Sequence, residues 1–241
     1  IVPSLIIWNG AVQQPTGVVT NSNITAGNLS ITGGDLSIYS NYFNGVNMGT
    51  TAINLNKYIQ VNVTPKLNYK ITFSQFKLIY NTLSGNQGAT KYQVRYSIDP
   101  NFTDGGSILV PETNTIQGSD QEVLVNFPAG VIASSTSATQ TFYIRIYAYG
   151  MTDTSNNNPI NIKLKNDYGG EVGPTISGIV DFANVLTANP DTATTEMNTP
   201  VPISVLLNDE GYAALQNITF TQPPVSEGVV TKTNNILTFT P

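Results

Sequence analysis

The strongest constraint on this chain is its rhythm. Apolar and polar residues alternate with a period of two almost throughout, and the longer repeat of an amphipathic helix is nearly missing. The clearest runs predict strands at Ser4–Trp8, Tyr58–Val63, Tyr69–Phe73, Lys77–Tyr80, Thr90–Ile98, Glu122–Phe127, Thr141–Tyr149 and Ile160–Leu164. Turn-forming clusters separate them, among them Thr32-Gly33-Gly34-Asp35, Ser84-Gly85-Asn86 and Asp104-Gly105-Gly106. Many short strands with no helices between them predict an all-β antiparallel sandwich rather than a βαβ fold. Residues 1–180 are expected to share one such core, with Trp8 inside it.

Composition narrows the function classes. Charged residues make up 10 % of the chain, against roughly 25 % in an average soluble protein. Asn, Thr, Ser and Gly take the polar positions and suit pleated surfaces and tight turns. Ten Lys and Arg against fifteen Asp and Glu leave a net charge of −5, which argues against a nucleic-acid groove or a patch for anionic membranes. The absence of cysteine removes thiol catalysis, thiolate-bound zinc and disulfides, and leaves the compartment open. The absence of histidine removes the commonest general base and metal ligand near neutral pH, so a Ser–His–Asp triad or a zinc hydrolase site is excluded. No paired carboxylates stand out for glycosidase chemistry, since Glu112, Asp120 and Glu122 sit near turns. No Gly-rich phosphate loop is present, and no run approaches the roughly 18 apolar residues of a membrane-spanning helix. The chain opens at Ile1 without a signal-like segment, which reads as a processed form or a fragment.

After Gly169-Gly170 the texture changes, and residues 181–241 are expected to form a linker and a second, smaller β-unit. Its strands are predicted at Asn217–Thr221, Gly228–Thr233 and Ile236–Thr240. The pattern stops at Pro241 with no closing strand, so the parent protein is expected to continue.

Four segments of the first unit carry a resemblance: LIIWNG (Leu5–Gly10), KYIQVNVTPKLNYKITFSQFKL, YQVRYSIDPNFTDGGSIL and TFYIRIYAYGMTDTSNNNPINIKL. With the patterns Tyr92-x-Val94-Arg95-Tyr96-Ser97-x-Asp99 and Phe142-x-x-Arg145-x-Tyr147-x-Tyr149-Gly150, they resemble a jelly-roll module of bacterial surface and secreted proteins, similar to carbohydrate-binding modules. Asp191–Gly211, DTATTEMNTPVPISVLLNDEG, resembles the Ig-like or cadherin-like repeats of large Bacteroidetes adhesins exported by the type IX route, including those used in gliding. The resemblance implies a jelly-roll β-sandwich followed by part of an Ig-like one. It implies a non-enzymatic, extracellular adhesin module with further Ig-like repeats, glycans or host and substrate surfaces as partners, and no required cofactor. The alternatives are an accessory module of a secreted polysaccharide-degrading enzyme and a subunit of an extracellular filament. Pro200 and Pro202 fit the repeat physically, because they stiffen its start and block edge pairing.

The candidate ligand surface lies on the strand TFYIRIYAYG. Alternation puts Phe142, Ile144, Ile146 and Ala148 on the core face and Tyr143, Arg145, Tyr147 and Tyr149 on the other. If Thr90–Ile98 is its neighbour, with Tyr92, Val94, Tyr96 and Ile98 inward, then Gln93 and Arg95 join that outer face. Both arginines of the chain then share one surface with three tyrosines. Sugars bind such surfaces through aromatic faces and planar donors; the competing reading is an Arg–Tyr ladder that supports the sheet.

Asp99, Asn101 and Asp104, in DPNFTDGG, offer oxygen ligands for calcium, which takes six to eight, although the same residue types build turns. Asp153 with Asn156–Asn158 is a second such cluster, and Asp181 or Asp191 could serve a junction site of the cadherin-like kind. Tyr39, Tyr42 and Phe43, in SIYSNYF, are read as exposed aromatics of a loop. Asp191-Thr192-Ala193 is similar to the O-glycosylation acceptor of Bacteroidetes, with Thr192 as the modified residue. Asn-x-Ser/Thr triplets such as Asn62-Val63-Thr64 are compositional.

Overall fold

A computed structural model of the chain describes residues 4–8, 16–39, 41–136, 138–154, 159–164, 173–183, 187–209 and 218–241. The protein is all-β, with no helix among the described residues. It divides into two compact units, residues 1–181 and 182–241.

The first unit runs β1 (Ser4–Trp8), β2 (Gly17–Val19), β3 (Ile24–Ala26), β4 (Ser30–Thr32), β5 (Asp35–Tyr39) and β6 (Tyr42–Val46). It continues with β7 (Tyr58–Pro65), β8 (Tyr69–Asn81), β9 (Lys91–Ser97), β10 (Ser107–Asn114) and β11 (Gln121–Asn126). β12 (Ile132–Ser135), β13 (Phe142–Tyr149), β14 (Asn161–Lys163) and β15 (Thr175–Phe182) complete it. One antiparallel sheet follows the order β2-β1-β15-β8-β14-β6-β5, with β11 and β12 also paired to β8; the other follows β10-β9-β13-β7-β3, with β4 paired to β7.

The sheets face each other across an aromatic core, as in a β-sandwich. Phe73 of β8 stacks on Phe142 of β13 at 4.0 Å between centroids, and Phe127 and Tyr96 close around the pair. Such pairs add about 0.5–1.5 kcal/mol each beyond the area they bury. Trp8 is fully buried and satisfies its indole N–H by donating to the Gly27 carbonyl at 2.7 Å.

Four local expectations change in the first unit. The runs Tyr69–Phe73 and Lys77–Tyr80 belong to one long strand, β8. Ile71 and Phe73 face the core, and so do Phe76, Leu78 and Tyr80, so the inward parity slips by one across Ser74-Gln75. The slip falls where the partner changes from β12, beside Tyr69–Thr72, to β11, beside Gln75–Tyr80. TISGIVDF, which carried no strand in the sequence reading, is β15 and pairs with β1.

The residues of SIYSNYF on either side of Ser40 belong to two antiparallel strands, β5 and β6, with Ile38 opposite Phe43, rather than to a loop. Phe43 is fully buried because β14 sets Ile162 against it from the other side. Ile98 does not continue the inward row of β9. The strand ends at Ser97, whose Oγ accepts the Asp99 N–H, and Pro100 carries no N–H to extend the ladder. Ile98 is left 51 % exposed.

The second unit contains β16 (Val201–Ile203), β17 (Val229–Thr233) and β18 (Ile236–Thr240), in the sheet order β16-β18-β17. Residues 218–221, expected as a strand, form none, and Asn217 lies outside the described residues. The physical reason is a side-chain substitute. Gln222 donates from Nε2 to the Val230 carbonyl at 2.6 Å and accepts the Val230 N–H at 2.9 Å, filling the ladder position a further strand would take. Asn208 and Asp209 strap the segment around Asn189 and Pro190. Asn189 donates its N–H to Asp209 Oδ1 and its side-chain amide to the Asn208 carbonyl, and Asn208 donates to the Pro190 carbonyl.

Candidate functional site

The site grows from the outer face of the sheet that holds β7, β9 and β13. Arg145 sits opposite Arg95 across one ladder and opposite Gln60 across the other, and Tyr147 sits opposite Gln93. Both arginines of the chain therefore share one outer surface.

The surface is not bare. Arg145 is 6 % and Tyr147 1 % exposed, because the loop after β9 folds back over them. Arg145 donates Nε–H to Gln60 Oε1 at 2.9 Å and Nη2–H to the Pro100 carbonyl at 2.6 Å. Its guanidinium lies 3.9 Å from the ring of Tyr58 and 3.9 Å from that of Phe102. Arg95 donates Nε–H to Gln93 Oε1 at 2.6 Å and Nη1–H to the Gly105 carbonyl at 2.7 Å. The two arginines thus hold both halves of the loop, through Pro100 and Gly105, by charge-assisted hydrogen bonds.

The loop is also built from within. Asp99 Oδ1 accepts the Asn101 N–H, and Oδ2 accepts both the N–H and the hydroxyl of Thr103. Those bonds from Thr103 and Asn101, with the nearby Arg145 charge, hold the Asp99 carboxyl below its ordinary value. Asp104 Oδ1 accepts the Gly106 N–H. The residues read as calcium ligands, Asp99, Asn101 and Asp104, share the loop, and both carboxylates organise its backbone. Asn156–Asn158, of the second cluster, lie outside the described residues.

Phe102 adopts φ 53°, a left-handed conformation rare for an aromatic residue. Gly106, at φ 69°, leaves room for it, since a Cβ there would meet the Phe102 ring at 2.4 Å. The strained turn turns the Phe102 ring onto Arg145 and makes one wall of a groove.

That groove has a volume of about 420 Å³, within the usual ligand-pocket range of about 300–1,000 Å³. Pro100, Asn101, Phe102 and Gly105 form the loop side, Arg145, Tyr147 and Tyr58 the floor, and Thr32, Leu55 and Asn56 the opposite rim. Tyr58 and Tyr147 meet edge to face at 5.9 Å. Burial lifts the Tyr147 hydroxyl above its ordinary value, while a hydrogen bond from Arg145 pulls the other way.

The remaining predicted residues separate. Tyr143 lines a neighbouring groove of about 450 Å³ on the far side of Pro100, with Ile98, Thr141 and Gln140. Tyr149 donates its hydroxyl to Glu112 Oε2 at 2.8 Å, and Glu112 also pairs with Lys91 at 2.5 Å. Burial, and then the Glu112 hydrogen bond, push Tyr149 up to about 12. Tyr42 is half-buried and donates to Asp120. Thr192 is exposed and lies in a shallow depression with Pro202, Leu207 and Asn208.

The sequence reading missed Tyr58, Gln60 and Phe102. Tyr58 and Gln60 were legible as the outward row of KYIQVNV. Phe102 was not, because its place depends on the loop closing back over β13.

No family model matches the chain, and no curated protein matches it. Among solved structures the chain is similar to the enzymatically active domain of tailspike protein 4 of bacteriophage CBA120, at 12 % identity and a TM-score of 0.27. The match covers 66 % of this chain and 20 % of that one, a likeness too slight to carry an argument.

Proposed function

We propose that the first unit is a non-catalytic saccharide-binding module of a secreted or cell-surface bacterial protein of the adhesin kind, in which β-units serve as spacers and display surfaces. One observation carries this reading: a groove floored by Tyr58, Tyr147 and Arg145 and walled by Phe102, joining aromatic rings to planar donors. A sugar ring offers C–H faces to rings and hydroxyls to amides and guanidinium, which is the chemistry these side chains present. The Asp191–Gly211 resemblance supports the wider setting of tandem Ig-like repeats, export by the type IX route and O-glycosylation at Thr192.

The test is a glycan array with the 241-residue chain, followed by titration of any ligand found with a Tyr58→Ala variant. Saturable binding that this variant weakens at least tenfold, with unchanged circular dichroism, is the expected result. A folded protein that binds no glycan on the array overturns the reading.

A further inference from the structure

The charge of the groove singles out the kind of saccharide. The chain carries a net charge of −5, yet its two arginines converge on this one face. Among the described residues neither forms an ion pair with a carboxylate. Their hydrogen-bond partners are the amide oxygens of Gln60 and Gln93, the carbonyls of Pro100 and Gly105 and, for Arg145, the Tyr147 hydroxyl. The ion pairs among the described residues all belong to lysines: Lys77–Glu122, Lys91–Glu112 and Lys163–Asp120.

Asp99 is the acid that feels Arg145 most directly, and its two oxygens are already turned to Asn101 and Thr103. Two guanidiniums in register, one almost fully buried and both hydrogen-bonded to neutral groups, with the Asp99 carboxylate nearby but paired to neither, concentrate positive charge beside a groove. Charge held in a partly dry site acts far more strongly on a ligand than the same charge in open water.

We infer that the groove over Arg145 takes an acidic saccharide, a sugar chain whose carboxylate lies against the Arg145 guanidinium edge while its ring lies along the Tyr58 and Phe102 sides of the groove. The inference rests on the saccharide reading above and narrows it to hexuronate-type ligands. Guanidinium suits a carboxylate because its planar donors match the two oxygens.

The experiment compares a short oligogalacturonate with its methyl ester, which has the same backbone and no charge. Because the chain has two arginines, a nitrogen–proton correlation spectrum resolves two Nε–H signals, assignable with an Arg95→Gln variant. The acid is expected to bind at least tenfold tighter than the ester at low salt, to shift the Arg145 signal, and to lose that advantage as salt is raised. Equal affinity for acid and ester, or tight acid binding that leaves both arginine signals unmoved, overturns the acidic preference while the saccharide reading stands. Failure of both probes to bind, with no other glycan bound on the array, overturns both.

Discussion

Arg145 stands directly opposite Arg95 in the ladder between β9 and β13, two like charges in adjacent strands of one sheet. Like charges placed this way repel, and the sheet accommodates them by giving each its own carbonyl in the loop after β9. In a double-mutant cycle with Arg95→Gln and Arg145→Gln, each single change loses that arginine's bonds but also relieves the repulsion. The double variant gains that relief once rather than twice. It is therefore expected to cost more than the sum of the singles, by about 0.5–1 kcal/mol, with the excess shrinking in high salt. Denaturant unfolding at two salt concentrations checks it, and simple additivity would remove the repulsion from the account.

Gly106→Ala tests the loop without replacing a binding side chain. It adds a Cβ at 2.4 Å from the Phe102 ring and forces alanine into φ 69°. The expected result is a loss of about 1–2 kcal/mol in stability. Displacement of Phe102 from Arg145 should also be visible as a change in the Arg145 Nε–H shift. An unmoved signal would show that Phe102 holds its place by other contacts.

Asp120 contributes to the acid limb of stability. Burial pulls its carboxyl up, but hydrogen bonds from Lys163, Tyr42 and Asn81 together outweigh that, and the group lies below its ordinary value. A depressed carboxyl contributes stability above its unfolded pKa of about 3.9. That contribution is lost as pH falls through the folded value. Asp120→Asn is expected to cost about 1.5–3 kcal/mol at neutral pH, the range for hydrogen bonds to charged groups. The difference from the parent should narrow as the pH drops below 4, on that unfolded reference value. Thermal melts across pH 2.5–7 check the trend, anchored on the same reference.

Gln222 guards the open edge of β17. Replacing it with alanine removes two hydrogen bonds to Val230, for a loss of about 1–3 kcal/mol in the second unit. It also bares an unpaired strand position, the kind of edge that joins chains together. Light scattering should show concentration-dependent association of Gln222→Ala absent from the parent. A variant that stays monomeric at every concentration would mean another segment blocks the edge.

What was legible in the sequence by itself was local. Alternation marked the strands, and it separated Phe142, Ile144 and Ile146 from Tyr143, Arg145 and Tyr147, because side chains on a strand point to opposite faces whatever lies beyond them. Missing histidine and cysteine likewise removed whole chemistries without reference to any fold. The tertiary structure decided what each face meets. Whether Arg145 would be open or capped depended on a loop closing onto a different strand, and the sandwiching of its guanidinium by Tyr58 and Phe102 joins residues far apart in the chain. The slip within β8 and the ladder role of Gln222 were hidden for the same reason. Periodicity records which way a side chain points, while its partner is set by which strands and loops come to lie beside it.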